Sequence, residues 1–244
     1  MIFQALSDFF TFFLNDISKK NFIFVKKKKM KFSIYLFLAL FFIGLNACKK
    51  DKETPVDDTN TPVPSLAWTQ AEMDTIQYGD TSLAMRVYLT TNLADSLLLR
   101  KTSRNVVPDS NDVVLTTLIK RMYKAMIDEG GVGIAAPQVG INRNICWVRR
   151  QDKVGKPYEV YLNPKIVMTS ELTINFNGDG CLSIPGITGK TLRWRAVGIE
   201  YDLLDGTHHS EVVDGYTSMQ FTAVCFQHEI DHLNGILFVD RIVL

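Results

Sequence analysis

The sequence has little of several residue types that carry functional signals. It holds four histidines and four cysteines among 244 residues, and its formal net charge is +1. The body of the chain carries no basic stripe, so nucleic-acid binding has no electrostatic support. The glycine-rich stretch at 131–140 has neither the Lys-Ser/Thr of a phosphate-binding loop nor a GxGxxG that opens a helix. The few metal-ligating residues therefore carry most of the functional information.

Two of the histidines, His228 and His232, are four residues apart and bracket Glu229. On an α-helix, positions i and i+4 lie on the same face, so both imidazoles can bind one metal ion. Glu229 would then take a proton from metal-bound water, as in HExxH enzymes. Residues 221–226 are apolar nearly all round, which predicts a core helix in which buried histidines need partners.

A third metal ligand should lie upstream of this helix. Residues 233–244 contain no His, Cys or Glu, so an HExxH peptidase with its third ligand downstream is a weakly supported alternative. Cys181 stands among glycines, in a setting that suits a ligand. Cys146 and Cys225 lie in apolar runs and are expected in the core, although a disulfide between them stays open.

The N-terminal part of the sequence predicts that the protein is exported from the cytoplasm. We expect residues 1–29 to be a segment upstream of the true start, 30–48 a lipoprotein-type signal, 49–65 a disordered tether, and 66–244 the catalytic domain. The uncharged run at 32–44 is short for a membrane span but suits a signal peptide. Cys48, which closes it, would carry a lipid and hold the domain at the membrane of the cell envelope. If the signal is not used, the protein is cytoplasmic.

The sequence of the expected domain at 66–244 predicts an α+β fold of short antiparallel strands around a buried C-terminal HExxH helix. Asn111 or Asp112 caps a helix running to about Glu129, and Thr217 or Ser218 caps the HExxH helix. Pro185 is expected to end a strand. Strands are expected at 145–148, 158–162, 165–168, 172–176, 197–203 and 209–213, with Asn-Pro and polar turns between them.

Three stretches together resemble the three motifs of peptide deformylases, and they occur in the family's order. They are 131–138, ending in Gln138; 179–183, around Cys181; and 227–232, the HExxH segment. The resemblance covers roughly residues 111–244. It implies a metal-dependent amide hydrolase that removes the N-formyl group from formyl-methionyl peptides, a step of protein biosynthesis.

The resemblance also implies a role for each matching residue. One divalent metal ion would be bound by Cys181, His228 and His232. The family typically uses Fe²⁺, and the same ligands also suit Zn²⁺. Glu229 would act as general base and then acid, while Gln138 and the backbone N–H of Leu182 stabilise the oxyanion. The expected substrate-binding residues are Val132, Gly133, Arg193, Phe221 and Val224.

The chain departs from the family pattern at two positions. Asp179 replaces the usual Glu before Gly-Cys, which is expected to loosen support of the loop, and Asn177 replaces an often aliphatic pocket residue. A binding lipoprotein that kept the fold without catalysis is a further alternative. The joint presence of Cys181, Gln138 and Glu229 argues against it.

Overall fold

The structure, a computed structural model, describes residues 66–214, 216 and 220–243. The predicted segments 1–29, 30–48 and 49–65 lie outside these residues, and so does Cys48. Within the described ranges, no helix has the length and hydropathy that crossing a membrane requires. The fold below is that of the domain predicted at 66–244.

The described residues form helices and antiparallel strands, which confirms the predicted α+β class. The α-helices are α1 (Gln70–Gln77), α2 (Leu93–Leu99), α3 (Val113–Asp128) and α4 (Thr222–Leu233). Short 3₁₀ helices span Ala136–Val139 and Phe238–Arg241. The strands are β1 (Gly133–Ala135), β2 (Ile145–Arg149), β3 (Tyr158–Thr169), β4 (Thr173–Cys181), β5 (Ile184–Trp194), β6 (Val197–Asp202) and β7 (His208–Val213).

The strands form two sheets, and α4 lies between them. The larger sheet has the order β1-β2-β3-β6-β7, and β4 pairs with β5 in a separate hairpin; all these pairs are antiparallel. Helix α4 contacts β1, β2 and β3 of the larger sheet and β5 of the hairpin. The HExxH helix is therefore enclosed by both sheets, as the sequence predicts.

Helix α3 begins and ends close to its predicted bounds. The Asp112 carboxylate accepts hydrogen bonds from the backbone N–H groups of Val114 and Leu115, which satisfies two donors of the first turn. Its buried face includes Leu118, Met122 and Met126, spaced by four residues. These side chains belong to one apolar core together with the adjoining strands.

The strands predicted at 158–162 and 165–168 are one strand, β3. Asn163 and Pro164 read as a turn, but Asn163 takes a φ of 51° at an irregularity in the pairing of β3 with β6. Asparagine tolerates this left-handed region better than most residues do. Its side chain also bonds the backbone of Val106 and the carboxylate of Asp202. The turn signal thus marks a bulge, and the strand continues.

Helix α4 does not begin where the sequence predicts. Phe221 is its N-cap residue and provides no side-chain hydrogen bond, so the predicted cap at Thr217 or Ser218 is wrong. All residues from Thr222 to Leu233 are buried, so packing can specify this helix without a polar cap. The backbone N–H of Phe221 is instead satisfied by the side chain of Gln151.

The β4–β5 hairpin goes beyond the prediction, which has one strand at 172–176: β4 continues to Cys181, and β5 is not among the predicted strands. Pro185 is the second residue of β5, so the prediction that it ends a strand is wrong. Cys181 at the end of β4 pairs with Ile184 at the start of β5, which leaves Leu182 and Ser183 as the turn. This tight turn presents the Cys181 thiol beside α4.

Candidate metal centre and active site

The structure brings the predicted metal ligands together. The ligand atoms of Cys181, His228 and His232 all lie within 4.8 Å of one another, and Cys181 Sγ is 3.1 Å from His232 Nε2. One ion with bonds of about 2.0–2.3 Å can bridge atoms at such spacing. Cys146 and Cys225 are free and buried, so they form no disulfide.

The donor set fits a divalent metal ion. His228 uses Nδ1 to bond the Asp179 carboxylate at 3.0 Å, which leaves Nε2 as its ligand atom. Burial raises the pKa of the Cys181 thiol, but the two histidines outweigh this effect and hold that pKa well below its usual range. A thiolate and two imidazole nitrogens converging in a buried site are what a Cys/His₂ metal site needs.

Asp179 is the centre of a buried polar network that supports His228. Its carboxylate contacts His228 Nδ1 at 3.0 Å, Thr191 Oγ1 at 2.8 Å and Arg193 Nη2 at 3.0 Å. Burial alone would raise the pKa of Asp179, yet the hydrogen bond with His228 and the charge of Arg193 lower it to about 2. The shorter side chain therefore makes a full set of contacts, which argues against the predicted loosening of the loop.

Arg193 lies in this network and is buried. Its guanidinium donates to Asp179 and to Asp231, and Arg241 reaches Asp231 from the other side. Its side chain is 2% exposed. Burial and two ion pairs argue against the predicted contact of Arg193 with substrate, and assign it to the support of α4 and of Asp179.

Glu229 lies on the same buried helix, between the two histidines. Burial raises the pKa of Glu229 to about 7, against the opposing charges of the histidines. Its Oε2 atom is buried and has no hydrogen-bond partner among the described residues. A buried carboxylate with a free oxygen and a raised pKa is suited to carry a proton.

Gly133 forms the wall next to this carboxylate. A Cβ atom built on Gly133 would lie 2.4 Å from Glu229 Oε1, so a larger residue would have to displace the carboxylate. The absence of a side chain thus creates the space that Glu229 occupies. The sequence predicts Gly133 as a substrate contact, and the structure adds this packing reason for a glycine.

Gln138 is held with its amide directed at the centre. Its Oε1 accepts the backbone N–H of Ala135 at 2.8 Å, which leaves Nε2 as the outward donor. Nε2 lies 3.5 Å from Cys181 Sγ and 3.4 Å from Ser183 Oγ. Leu182, the other predicted oxyanion donor, is in the turn next to Cys181. Both predicted donors therefore flank one metal ligand.

The remaining predicted substrate residues lie at the start of α4 and near β1. Phe221 is half-buried at the N-cap of α4, with its ring centroid 5.3 Å from that of Phe176. Val224 is buried one turn further along, and Val132 is half-buried immediately before β1. Their contact with substrate stays a prediction.

Three supporting residues were not predicted to belong to the site: Thr191, Asp231 and Arg241. Asp231 lies inside the HExxH segment, one residue before His232, so its position could have suggested a supporting role. Thr191 and Arg241 carry no such signal, because only the hairpin and the second 3₁₀ helix bring them close.

The site and fold match one family. The polypeptide deformylase family profile matches residues 90–244. A peptide deformylase of Heliobacterium modesticaldum is 37% identical over 158 residues, covering 65% of this chain and 95% of that protein. One of Finegoldia magna is 36% identical over 151 residues, covering 62% of this chain and 87% of that protein.

Solved structures agree with these sequence matches. A peptide deformylase of Thermotoga maritima aligns with a TM-score of 0.56 and 33% identity, covering 66% of this chain and 99% of that one. A class I type b peptide deformylase of Acinetobacter baumannii bound to Met-Ala-Ser aligns with a TM-score of 0.56 and 34% identity, with the same coverage.

The chain belongs to the polypeptide deformylase family. It is an amide hydrolase of the deformylase type, whose metal-dependent reaction removes the N-formyl group from peptides. The family match does not favour the alternatives of an HExxH peptidase or a binding protein without catalysis.

Proposed function

We propose that this chain hydrolyses the formamide bond of N-formyl-methionyl peptides at the centre formed by Cys181, His228 and His232. The observation that carries this proposal is convergence: three metal-ligand atoms within 4.8 Å of one another, and the Gln138 amide 3.5 Å from one of them. The buried carboxylate of Glu229 lies on the same helix as two of the ligands. Three separate stretches of sequence thus supply one site.

A metal ion held by Cys181, His228 and His232 would act as a Lewis acid that makes water nucleophilic near neutral pH. Glu229 takes a proton from the water that attacks the formyl carbon. Gln138 Nε2 and the Leu182 N–H donate to the carbonyl oxygen as negative charge develops there. Glu229 then gives its proton to the departing nitrogen, the C–N bond breaks, and formate and a free amine result.

A peptide substrate is supported by the relatives, since the Acinetobacter baumannii enzyme has been solved with Met-Ala-Ser bound. The test compares formyl-Met-Ala-Ser with unformylated Met-Ala-Ser on the full chain, following formate and free amine separately. We expect formate from the first peptide and no cleavage of the second. Cleavage of the Met-Ala bond would indicate a peptidase, and no turnover of either peptide by the metal-loaded protein would contradict the proposal.

The metal is proposed as Fe²⁺ or Zn²⁺, because Cys/His₂ ligands suit both. Members of the family typically use ferrous iron. Outside the cytoplasm, ferrous iron and the Cys181 thiolate would be exposed to oxidation, which would favour zinc. Anaerobic purification followed by elemental analysis distinguishes them: one equivalent of either metal supports the site. Loss of turnover with a chelator and its return with one metal identify the active form.

We further propose that Cys48 carries a lipid that anchors the domain in the cell envelope. The support is sequence alone: a short uncharged run, then Leu45 to Cys48, then a polar stretch at 49–65. A mature N-terminus at a lipid-modified Cys48, found by mass spectrometry, is the expected result. A Cys48→Ser variant that also lacks residues 1–47 should lose detergent partitioning, and an unmodified protein in the soluble cytoplasmic fraction would overturn the anchor.

A further inference from the structure

The residues that precede the family match are built into the domain. The match begins at residue 90, yet the core includes side chains from 66–89, such as Ile76 and Met85, packed with those of α3. We call residues 66–89 the leading segment. Its apolar contacts show that it is part of the folded domain and not a tether.

Three arginines from the matched part hold the leading segment: Arg104, which pairs with Glu72 at 3.0 Å, Arg121 and Arg143. Arg143, whose side chain is fully buried, donates to both carboxylate oxygens of Glu72 at 2.8 Å and to the carbonyl of Leu66 at 2.8 Å. Arg121 donates to the carbonyls of Ile76 and Leu83 at 2.6 and 2.9 Å. Hydrogen bonds from charged donors are stronger than those between neutral groups, so these contacts anchor the segment.

The end of the leading segment touches the catalytic loop. The backbone N–H of Tyr88 donates to the Gln138 carbonyl at 2.8 Å. The Tyr88 ring covers Gly140, where an added Cβ would lie 2.4 Å from the Tyr88 ring carbon Cζ. Two residues later, the Thr90 N–H donates to the carbonyl of Ser183 at 3.0 Å. Residues 88–90 therefore join the loop that carries Gln138 to the turn that carries Leu182.

We propose that Tyr88 is a positioning residue for the Gln138 amide, and that the leading segment acts as the anchor of Tyr88. The inference rests on the proposed function of Gln138 as an oxyanion donor. A shift of the 3₁₀ helix Ala136–Val139 would misplace Nε2 relative to the developing charge, which lowers turnover without removing the metal. Arg86 steadies the ring, with its guanidinium 4.2 Å from the ring centroid while it pairs with Asp95.

The test uses Tyr88→Ala in the full, metal-loaded chain, with Tyr88→Phe as the conservative variant. We expect Tyr88→Ala to lower kcat about tenfold with little change in KM, because the lost interaction operates in the transition state. Tyr88→Phe keeps the ring and should restore most of kcat. Tyr78→Ala is the matched control, since Tyr78 lies in the same segment and is 77% exposed.

A double-mutant cycle separates positioning from general destabilisation. In a Gln138→Ala background, Tyr88→Ala should lower kcat less than twofold further, because the group it positions is already gone. Metal content is measured for each variant, and rates are taken per folded, metal-loaded molecule. Equal losses from Tyr88→Ala with and without Gln138, or an unchanged kcat in Tyr88→Ala, would overturn the inference.

The anchor is tested with Glu72→Gln, which weakens the contact with Arg143 and changes no metal ligand. We expect a smaller loss of kcat that again disappears in the Gln138→Ala background. A Glu72→Gln protein that folds, binds metal and turns over like the parent would limit positioning to Tyr88 and overturn the role of the leading segment. If the unmodified chain does not release formate, the proposed function fails, and that outcome is distinct from these.

Discussion

Two regions of this molecule each bury an arginine that pairs with a carboxylate, yet the other contacts around the two arginines differ. Arg193 bonds Asp179 and Asp231, and Asp179 also bonds the metal-ligand histidine His228. Arg143 bonds Glu72 and carbonyls of the leading segment. The first arrangement orients a ligand, and the second ties a chain segment to the core.

The comparison shows that the role of a buried ion pair depends on its third partner, that is, on the further group that contacts the carboxylate of the pair. A buried pair by itself is weak support for stability, because desolvation offsets much of the attraction. Asp179 has His228 as its third partner, so substitutions around it should change metal binding and turnover. Glu72 also accepts hydrogen bonds from Arg104 and from the backbone N–H of Thr69, neither of which is a metal ligand, so its substitution should change mainly stability.

The largest effect is expected at Glu229, in the first region. Glu229→Ala and the isosteric Glu229→Gln should both lower kcat about a thousandfold, because general acid–base catalysis is lost. Both should retain one equivalent of metal, since the carboxylate is a proton carrier. Cys181→Ala is the contrasting variant and should lose the metal. Full turnover in Glu229→Gln, or a full metal complement in Cys181→Ala, would contradict these assignments.

The next effect concerns Gln138. Gln138→Ala should lower kcat about a hundredfold with KM nearly unchanged, the usual size for one oxyanion donor. The exposed Gln70 in α1 provides the matched control, and Gln70→Ala should leave kcat as it is. Steady-state kinetics on a formyl-Met peptide measure both. A Gln138→Ala enzyme with unchanged kcat would remove this amide from the mechanism and Tyr88 with it.

A smaller effect sharpens the comparison at Asp179. Asp179→Asn removes the charge that faces His228 and Arg193, so metal affinity should fall about ten- to a hundredfold, as it does for other groups that orient metal ligands. Asp179→Glu keeps the charge, and it should retain more affinity than Asp179→Asn. Competition with a metal-binding dye gives the affinities. Equal affinity in Asp179→Asn and the parent would make the contact with His228 irrelevant to metal binding.

The ligands and catalytic residues of the site could be predicted from sequence, but most of the residues that support them could not. His228, Glu229 and His232 follow helical spacing, and Cys181 and Gln138 stand in short motifs, so local pattern was enough to find them. The contacts of Asp179 with Thr191 and Arg193 depend on how β4 pairs with β5, and no local pattern encodes that register. Arg193 is predicted as a substrate contact because the resemblance matches its position in the sequence, which does not show where its side chain points.

The fold shows the same contrast between features that have a local sequence signal and features that depend on distant contacts. Helix α3 has a polar cap and a regular apolar face, so its bounds were predicted closely. Helix α4 has no side-chain cap, and its predicted start is three or four residues too early. The leading segment gave no prediction of function, because Glu72 and its partner Arg143 are 71 residues apart in sequence. Long-range ion pairs are invisible to patterns that extend over one or two turns.

The smallest expected effect on activity, and the clearest on stability, comes from Glu72 in the second region. Burial would raise the pKa of Glu72, but bonds from Arg143 and Thr69 lower it from 4.5 to about 2. A carboxyl with a lowered folded-state pKa adds stability that is present above pH 4.5 and lost as the pH falls towards 2. Glu72→Gln should therefore be less stable than the parent at pH 7, by about 2 kcal/mol. The gap should narrow as the pH falls.

Denaturant unfolding of the metal-loaded chain between pH 7 and pH 3 measures this gap, and Glu171→Gln, an exposed carboxylate, is the control that should show none. Metal affinity should be the same in Glu72→Gln and the parent, in contrast to Asp179→Asn. A gap that stays constant with pH would mean that Glu72 acts through shape and not through its charge. A change in metal affinity would mean that the two regions are coupled more widely than through residues 88–90.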